Sequence, residues 1–444
     1  MRQAGSRLLT VGVLSVAALT LNDASSAQNG VIDEDVVTEA YIYLLGRALV
    51  IRQEHLDIEG QGLQYNVVHH NPLASVDFVN PNMSVTNSQL WIAVDEDTPV
   101  LLEIPKIEGR YYTAQICDEW GEVITNINPR NYPLQPYGKF AFVAPGYTGD
   151  IPQDAVRIDL RSYRAKMLAR VELQDDPEGA VALQRQIKAA PVGGDPAIPE
   201  AVAMPLFDNT SLIGVELFDK AEEILTSAPD VSPISAQMQA RVRVVARQAA
   251  DPDKRQAINA LLQDKVIPDF TRFAVTEAGA TQNNWLGTLV IGNYGENYRI
   301  RTAANLVGIW ANARHEVVYH VTTRDAEGEA LDGSSHYVLH FPKDALPKSV
   351  VHEFWSLTLV SLPDFRPVPN ALDRFALSTW SNVQKEADGS LKLLVGPKPV
   401  EGIPASNWLP SPDGQPFSLT FRAYVPKPVV QNGDWFPPAV EQVE

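Results

Sequence analysis

The chain has 444 residues, of which 45% are hydrophobic and 20% charged, so it can form two or three globular domains and is not a disordered protein. Asp and Glu number 54 against 36 Lys and Arg, and the resulting formal charge of −18 argues against nucleic acid and anionic membrane surfaces as partners. The single cysteine, Cys117, excludes an intramolecular disulfide framework and a cysteine-rich zinc site.

The first 27 residues are typical of an export signal. Arg2 and Arg7 give this segment a positive start, and residues 8–21 form an apolar run that is short for a membrane-spanning helix. Small residues at positions 25–27 offer a cleavage site. We therefore predict cleavage after Ala27 and a periplasmic or secreted mature protein, with no later membrane segment.

Apolar periodicity divides the rest of the chain into four regions. Residues 28–70 are a predicted helical lead, because acidic residues precede apolar side chains at helical spacing. Residues 71–175 contain short apolar runs bounded by turn-forming residues, which predicts an N-terminal β domain. Residues 176–280 combine a linker with helical segments, and residues 281–444 return to short strands. The expected fold is mainly β with helical segments: two β-sandwich or jelly-roll-like modules joined by a helical middle region.

Common catalytic motifs are absent from the sequence, including the nucleophile elbow, the P-loop, the dinucleotide fingerprint and the zinc-protease motif. The segment from His315 to His320 is one residue too long for that zinc motif. His336 and His340 share one strand face about 13 Å apart, which is too far for two ligands of one zinc ion. We therefore expect neither a metal nor a cofactor.

Polar and aromatic side chains near the ends of predicted elements are the candidate ligand-binding residues. Strand-end loops often line pockets, and an apolar cleft with a few convergent polar groups suits a small organic ligand. The alternative for each Trp and Tyr is core packing with one satisfied polar atom. The candidates are Asn82, Arg110, Tyr112, Asp118, Arg130, Arg301, Trp355, Ser356, Asn407 and Trp408.

Ordered motifs run through both halves of the chain. In the C-terminal half they include Glu316-Val-Val-Tyr319, Phe354-Trp355-Ser356, Asn407-Trp408-Leu409-Pro410 and Phe421-Arg422-Ala-Tyr424. Through these motifs this half resembles a bacterial family known as domain of unknown function 1214. The N-terminal half resembles the companion domain of unknown function 1254 through Pro81-Asn82, Gly109-Arg110-Tyr111-Tyr112 and Asp118. The resemblance implies an architecture of two β-sandwich or jelly-roll modules joined by a helical segment, and it implies no activity.

The sequence departs from the usual family pattern at two places. After Pro81-Asn82 the family usually has an Asn-Asp-Thr-aromatic run, whereas this chain has Met83-Ser84-Val85-Thr86-Asn87. The usual Gly-Thr-Arg segment is replaced by Asn128-Pro129-Arg130. The acid and the aromatic ring are missing from the first motif, which calls into question any site that depends on them.

Three functional hypotheses follow, and we favour the first narrowly. In the first, the protein binds a small organic ligand in a polar and aromatic cleft between the modules. In the second, it is a cofactor-independent hydrolase, lyase or isomerase in which Asp118 is the base, Arg110 keeps it ionised and Tyr112 donates to an oxyanion. In the third, it is a jelly-roll assembly or structural protein that forms homo-oligomers.

Overall fold

The computed structural model describes residues 32–73, 82–362 and 366–443. The predicted export signal over residues 1–27 and the motif residue Pro81 lie outside these ranges. Within them, no helix is both long enough and apolar enough to cross a membrane.

The lead helix α1 (Glu34–His55) is the centre of a helical bundle. Asp33 caps it by accepting hydrogen bonds from the backbone N–H groups of Asp35 and Val36, which satisfies donors that the first turn leaves unpaired. The helix is buried on nearly all sides because other helices pack around it. These helices come from the middle of the chain: α3 (Ala221–Ser227), α4 (Ser235–Ala249), α5 (Pro252–Leu261), α6 (Ile267–Thr276) and α7 (Tyr298–Val307). The connecting helical turns are Leu56–Gly60, Val215–Lys220 and Leu262–Val266.

The N-terminal module consists of two sheets packed on a shared apolar core. Its strands are β1 (His69–His70), β2 (Val85–Ala93), β3 (Val100–Ile104), β4 (Tyr112–Cys117), β5 (Val123–Ile127), β6 (Gly138–Val143), β7 (Ala155–Asp159), β8 (Arg164–Glu172) and β9 (Lys188–Pro191). One sheet has the order β1-β2-β8-β4-β5 and the other β7-β6-β3-β9. Helix α2 (Pro177–Gln184) packs against strands of this module. The last strand, β9, extends the module to residue 191.

Strand β4 shows that both faces of the five-stranded sheet are buried. Tyr112, Ala114 and Ile116 point into the module's core. Because side chains alternate along a strand, Gln115 and Cys117 lie on the opposite face, which is also buried. The sheet can be covered on both faces because the C-terminal module packs against the second one.

The C-terminal module also consists of two sheets around one core. Its strands are β10 (Ala280–Gln282), β11 (Trp285–Gly287), β12 (Val317–Thr322), β13 (His336–Phe341), β14 (Trp355–Ser361), β15 (Ala376–Ser378), β16 (Leu391–Gly396), β17 (Trp408–Pro410), β18 (Phe417–Tyr424) and β19 (Glu441–Val443). The six-stranded sheet has the order β10-β11-β12-β18-β14-β15, and the four-stranded sheet has the order β17-β16-β13-β19. Shorter helical pieces are Pro347–Val350, Ala405–Asn407 and α8 (Pro428–Gln431).

The predicted fold class is confirmed. The chain is mainly β, and its two β-rich modules are joined by a helical region. Each of the four sheets is open rather than closed into a barrel.

Candidate ligand-binding cleft

The five-stranded sheet of the N-terminal module faces the six-stranded sheet of the C-terminal module. At one end, the ring of Tyr111 packs edge-on against Phe354 and Tyr424, with ring centroids 5.7 and 5.3 Å apart. At the other end, the Nε2 of Gln115 donates to the backbone carbonyl of Trp310 at 3.0 Å. These contacts join the modules on both sides of a polar region.

We call this polar region the intermodular cleft and define it by Asn87, Arg170, Tyr319, Ser356 and Arg422. Arg170 on β8 lies opposite Asn87 on β2 in the strand register, so both side chains share one face. Arg422 on β18 lies opposite Tyr319 on β12 and Ser356 on β14. Arg170, Asn87 and Tyr319 stay part-buried in the middle of otherwise buried strands. These three side chains are therefore only partly enclosed by their neighbours.

Arg170 is the first functional candidate in the cleft. Its Nη1 donates to the Oε1 of Gln115 at 2.9 Å, and no carboxylate in the described ranges forms an ion pair with it. Burial acts to lower the pKa of its guanidinium, but Tyr319 and Tyr424 act to raise it, and the balance lies above the ordinary value. The guanidinium is therefore charged, oriented by an amide and surrounded by phenol groups.

The C-terminal module contributes hydroxyl groups to the same cleft. The Oγ of Ser356 is buried and has no hydrogen-bond partner within the part of the chain that the structure describes. The phenol of Tyr319 is part-buried and likewise makes no hydrogen bond to another described residue through its hydroxyl. The Nη1 of Arg422 donates to the Oγ1 of Thr358 at 2.8 Å, and burial lowers the pKa of Arg422. Buried polar groups are ordinarily hydrogen-bonded, so the Ser356 hydroxyl calls for a partner, and the part-buried Tyr319 hydroxyl can bond to a ligand or to water.

A depression of about 370 Å³ opens beside the cleft, where the two modules meet. Its lining combines both modules: Met83, Ser84 and Gln174 from the first, and residues 372–376, Ser378, Trp380 and Ser381 from the second. Ser378 lies opposite Ser356 in the strand register, so its side chain shares the face that borders the cleft. The depression therefore borders the strand next to the one that carries Ser356.

Three of the residues predicted from the sequence lie in or beside the cleft. Ser356 is one of its defining residues. Asn82 donates to the hydroxyl of Tyr424 at the aromatic end. Arg130 forms two hydrogen bonds with the fully buried carboxylate of Glu316, at 2.7 and 3.1 Å. Arg130 thus links the modules rather than offering a free cation.

The three residues predicted for acid–base chemistry are each engaged by a different neighbour. Arg110 pairs with Asp176 at 2.8 Å. Tyr112 points into the N-terminal core and donates its hydroxyl to the carbonyl of Pro136 at 2.6 Å. Asp118 accepts hydrogen bonds from backbone N–H groups of its own loop and from the Nη1 of Arg161 at 2.7 Å. The structure does not bring these three groups together.

The remaining predicted residues have structural partners away from the cleft. Arg301 pairs with Asp230 in the helical bundle at 2.8 Å. Trp355 stacks on Phe421 in the C-terminal core, with ring centroids 5.9 Å apart. The Nδ2 of Asn407 donates to two backbone carbonyls, and the Nε1 of Trp408 donates to a third at 2.8 Å.

Sequence reasoning did not select Arg170 and Tyr319 as candidate site residues. Both lie in the middle of strands, whereas the search for candidates concentrated on element ends. The available signal was alternation: in Phe421-Arg422-Ala423-Tyr424, apolar core residues alternate with polar ones. A strand with an apolar face and a cationic, phenolic face lies between a core and a polar interface.

The cleft offers hydrogen-bond donors and positive charge rather than a nucleophile. Its polar groups are guanidinium, phenol, hydroxyl and amide groups from two modules. Over residues 32–73, 82–362 and 366–443, no three His, Cys, Asp or Glu side chains are grouped so as to hold a metal ion. Such a set of donors is suited to noncovalent capture of a molecule rich in acceptors.

Known families match both modules. The protein of unknown function DUF1254 matches residues 65–191, and the protein of unknown function DUF1214 matches residues 316–428. Together these matches cover more than half of the chain. The chain belongs to this paired family. In this DUF1254–DUF1214 protein, Arg170 lies in the first matched region, and Tyr319, Ser356 and Arg422 lie in the second, so the cleft requires both modules.

No curated protein matches this DUF1254–DUF1214 chain. Among solved structures, it is similar to the VPA0106 protein from Vibrio parahaemolyticus, with a TM-score of 0.67 and 19% identity over 93% of this chain and 100% of that chain. A structure of an uncharacterized protein from Burkholderia cenocepacia has a TM-score of 0.44 and 10% identity, covering 97% of this chain and 98% of that one. The first of these shows a shared fold.

Proposed function

We propose that this chain binds a small organic molecule in the intermodular cleft. The supporting observation is that polar groups from both modules converge there without protein partners in the described part of the chain: Arg170 lacks a carboxylate, and Tyr319 and Ser356 lack hydrogen bonds to their hydroxyls. Of these groups, the buried Ser356 hydroxyl costs folding free energy, of order 1–3 kcal/mol, as long as it is unpaired. A bound molecule would supply the missing acceptors and donors.

Binding is tested by the stabilisation that a ligand gives to the folded protein. The chain from Gln28 is screened by thermal denaturation against organic metabolites, and any molecule that co-purifies is identified by native mass spectrometry. We expect a ligand-dependent rise in melting temperature that is smaller in Tyr319→Phe and Ser356→Ala. Tyr137→Phe, at an exposed tyrosine, is the matched control and should behave as the unmodified protein. Equal stabilisation of all four proteins would place binding elsewhere.

The acid–base alternative has no comparable support. Asp118, Tyr112 and Arg110 each bond to a separate structural partner, whereas a catalytic base and an oxyanion donor must reach one substrate together. We therefore propose binding rather than catalysis for the cleft.

We also propose that the protein acts after export, on the pattern of its first 27 residues. Expression of the full chain in a Gram-negative host, followed by fractionation and N-terminal sequencing, tests this. The expected product begins at Gln28 and is found in the periplasm or the medium. A cytoplasmic product that still begins at the native N-terminus would contradict export.

A further inference from the structure

Four other buried or part-buried arginines of this acidic protein are paired with carboxylates. The pairs are Arg47 with Glu119, Arg130 with Glu316, Arg164 with Glu54 and Arg301 with Asp230. Arg170 lies between the modules, yet among the residues that the structure describes no carboxylate pairs with it. A guanidinium withdrawn from water without a counter-charge is unfavourable. In a chain with a formal charge of −18, carboxylates were abundant enough to pair with it.

The position of Arg170 is set by an amide rather than by a charge. Gln115 accepts from the Nη1 of Arg170 at 2.9 Å and is itself held, because its Nε2 donates to the carbonyl of Trp310 at 3.0 Å. An amide oxygen orients a guanidinium but does not neutralise it, so the Nε and Nη2 groups keep their hydrogen atoms for another acceptor. A planar guanidinium held in this way matches the two oxygens of a carboxylate.

The surroundings of Arg170 favour an organic anion. Tyr319 and Tyr424 of the other module are close enough to influence its charge, and phenol rings provide both an apolar surface and a polar atom. Arg170 brings a positive charge that one carboxylate can balance, and the second guanidinium of the cleft, that of Arg422, donates to Thr358.

We propose that the intermodular cleft recognises an organic carboxylate, whose anionic group pairs bidentately with Arg170 while its body lies against Tyr319. This inference rests on the binding function proposed above and names the ligand class for that site. It makes Arg170 the residue that determines specificity, because a neutral analogue of the same shape would leave the guanidinium without a counter-charge.

The test compares acids with amides of the same shape. Benzoate and hexanoate are titrated against benzamide and hexanamide, with phenyl phosphate as a further probe, by saturation-transfer NMR and calorimetry on the full mature chain. We expect the acids to bind more tightly than the amides. Arg170→Gln should weaken acid binding by about tenfold to a hundredfold, and Arg170→Lys by less, because it keeps the charge but loses the planar fork. Arg185→Gln, at an exposed arginine, is the matched control and should change nothing.

Several results would overturn the carboxylate assignment: equal binding of acid and amide, no binding of either acid, tighter binding of phenyl phosphate, or equal affinities in Arg170→Gln and Arg185→Gln. Circular dichroism establishes that each variant is folded, and if Arg170→Gln is not, the acid–amide comparison on the unmodified chain decides. Amide binding that is weakened by Tyr319→Phe would leave the cleft function standing while the carboxylate assignment falls. Acid binding that neither Arg170→Gln nor Tyr319→Phe weakens would remove both proposals.

Discussion

The loop that follows β4 and the intermodular cleft both contact arginine side chains, but only the loop pairs them with carboxylates. Residues 118–122 supply three carboxylates to three cations from different parts of the chain, in the pairs Asp118–Arg161, Glu119–Arg47 and Glu122–Arg301. The pairs with Arg47 and Arg301 attach the N-terminal module to the helical bundle, and the pair with Arg161 lies within the module. In the cleft, Arg170 has an amide partner instead. The paired arginines hold this protein together, whereas we propose that Arg170 serves recognition.

The largest expected effect comes from replacing one arginine of each region in turn with an uncharged residue. Arg301→Met leaves the carboxylates of Asp230 and Glu122 without their cation, and we expect a loss of about 3–5 kcal/mol in the free energy of unfolding. Arg170→Met removes a charge that has no carboxylate partner, and we expect a change within about 1 kcal/mol of zero. Urea denaturation of both variants measures the difference. Comparable losses would show that Arg170 is a structural residue.

A second prediction concerns an unpartnered group that is neutral. Both ring nitrogens of His320 are buried and lack hydrogen-bond partners in the described part of the chain, and burial lowers its pKa to about 3. Between the ordinary value of about 6.5 and this lowered value, the unfolded chain takes up a proton that the folded chain does not. Stability contributed by neutral His320 is therefore present above about pH 6.5 and falls by up to about 1.4 kcal/mol for each pH unit below it.

Denaturation curves measured between pH 7 and pH 4.5 test this expectation against His320→Gln, which cannot take up the proton. The difference in the free energy of unfolding between the two proteins should shrink on acidification. His352→Gln, at an exposed histidine, is the control and should follow the unmodified protein. A constant difference between the unmodified protein and His320→Gln would mean that this histidine is not held neutral.

A third prediction concerns the close approach of the loop after β4 to the helical bundle. Gly121 has a φ of +87°, and a Cβ built there would lie 2.5 Å from the Oδ1 of Asn305, whose Nδ2 is held by the carbonyls of Gly46 and Trp120. Gly193 has a similar φ of +91° with nothing near. Gly121→Ala should therefore cost about 2–3 kcal/mol and Gly193→Ala about 1 kcal/mol. Equal losses by thermal denaturation would show that the backbone conformation alone sets the cost.

The last prediction separates two tyrosines that border the cleft, one of which is expected to show almost no effect. The hydroxyl of Tyr111 donates to the buried carboxylate of Glu316 at 3.0 Å, so Tyr111→Phe should cost about 1.5–3 kcal/mol. Tyr319 makes no such bond to a described residue, so Tyr319→Phe should change the free energy of unfolding by less than about 0.5 kcal/mol. A loss in Tyr319→Phe as large as that in Tyr111→Phe would assign its hydroxyl a structural role.

The sequence predicts the fold better than it predicts the site, for a physical reason. Strand alternation is local: the opposite orientations of Tyr111 and Tyr112 follow from two adjacent positions, and the structure confirms them, with Tyr111 at the cleft and Tyr112 in the core. The cleft is not local, because Arg170 and Tyr319 belong to different modules. Their proximity depends on how two sheets dock, which no local pattern encodes.

The candidates at element ends illustrate the same limit. Arg110 and Arg301 are cations in an acidic chain, so the sequence suggested that they bind an anionic ligand. In the folded protein both form ion pairs with carboxylates. Whether an arginine has such a partner depends on long-range contacts: Arg301 and Asp230 are separated by 71 positions. Sequence patterns identify which residues can carry a charge, whereas tertiary packing decides which charges remain free to act.

The burial of the lone thiol has a practical consequence. Cys117 at the end of β4 is fully buried, and burial raises its pKa to about 12, so at neutral pH it offers almost no thiolate to alkylating reagents. Fluorescent or spin labels can therefore be placed at single surface cysteines on each module without first removing the native one. The distance between such labels, recorded with and without ligand, would report directly on any movement of one module relative to the other.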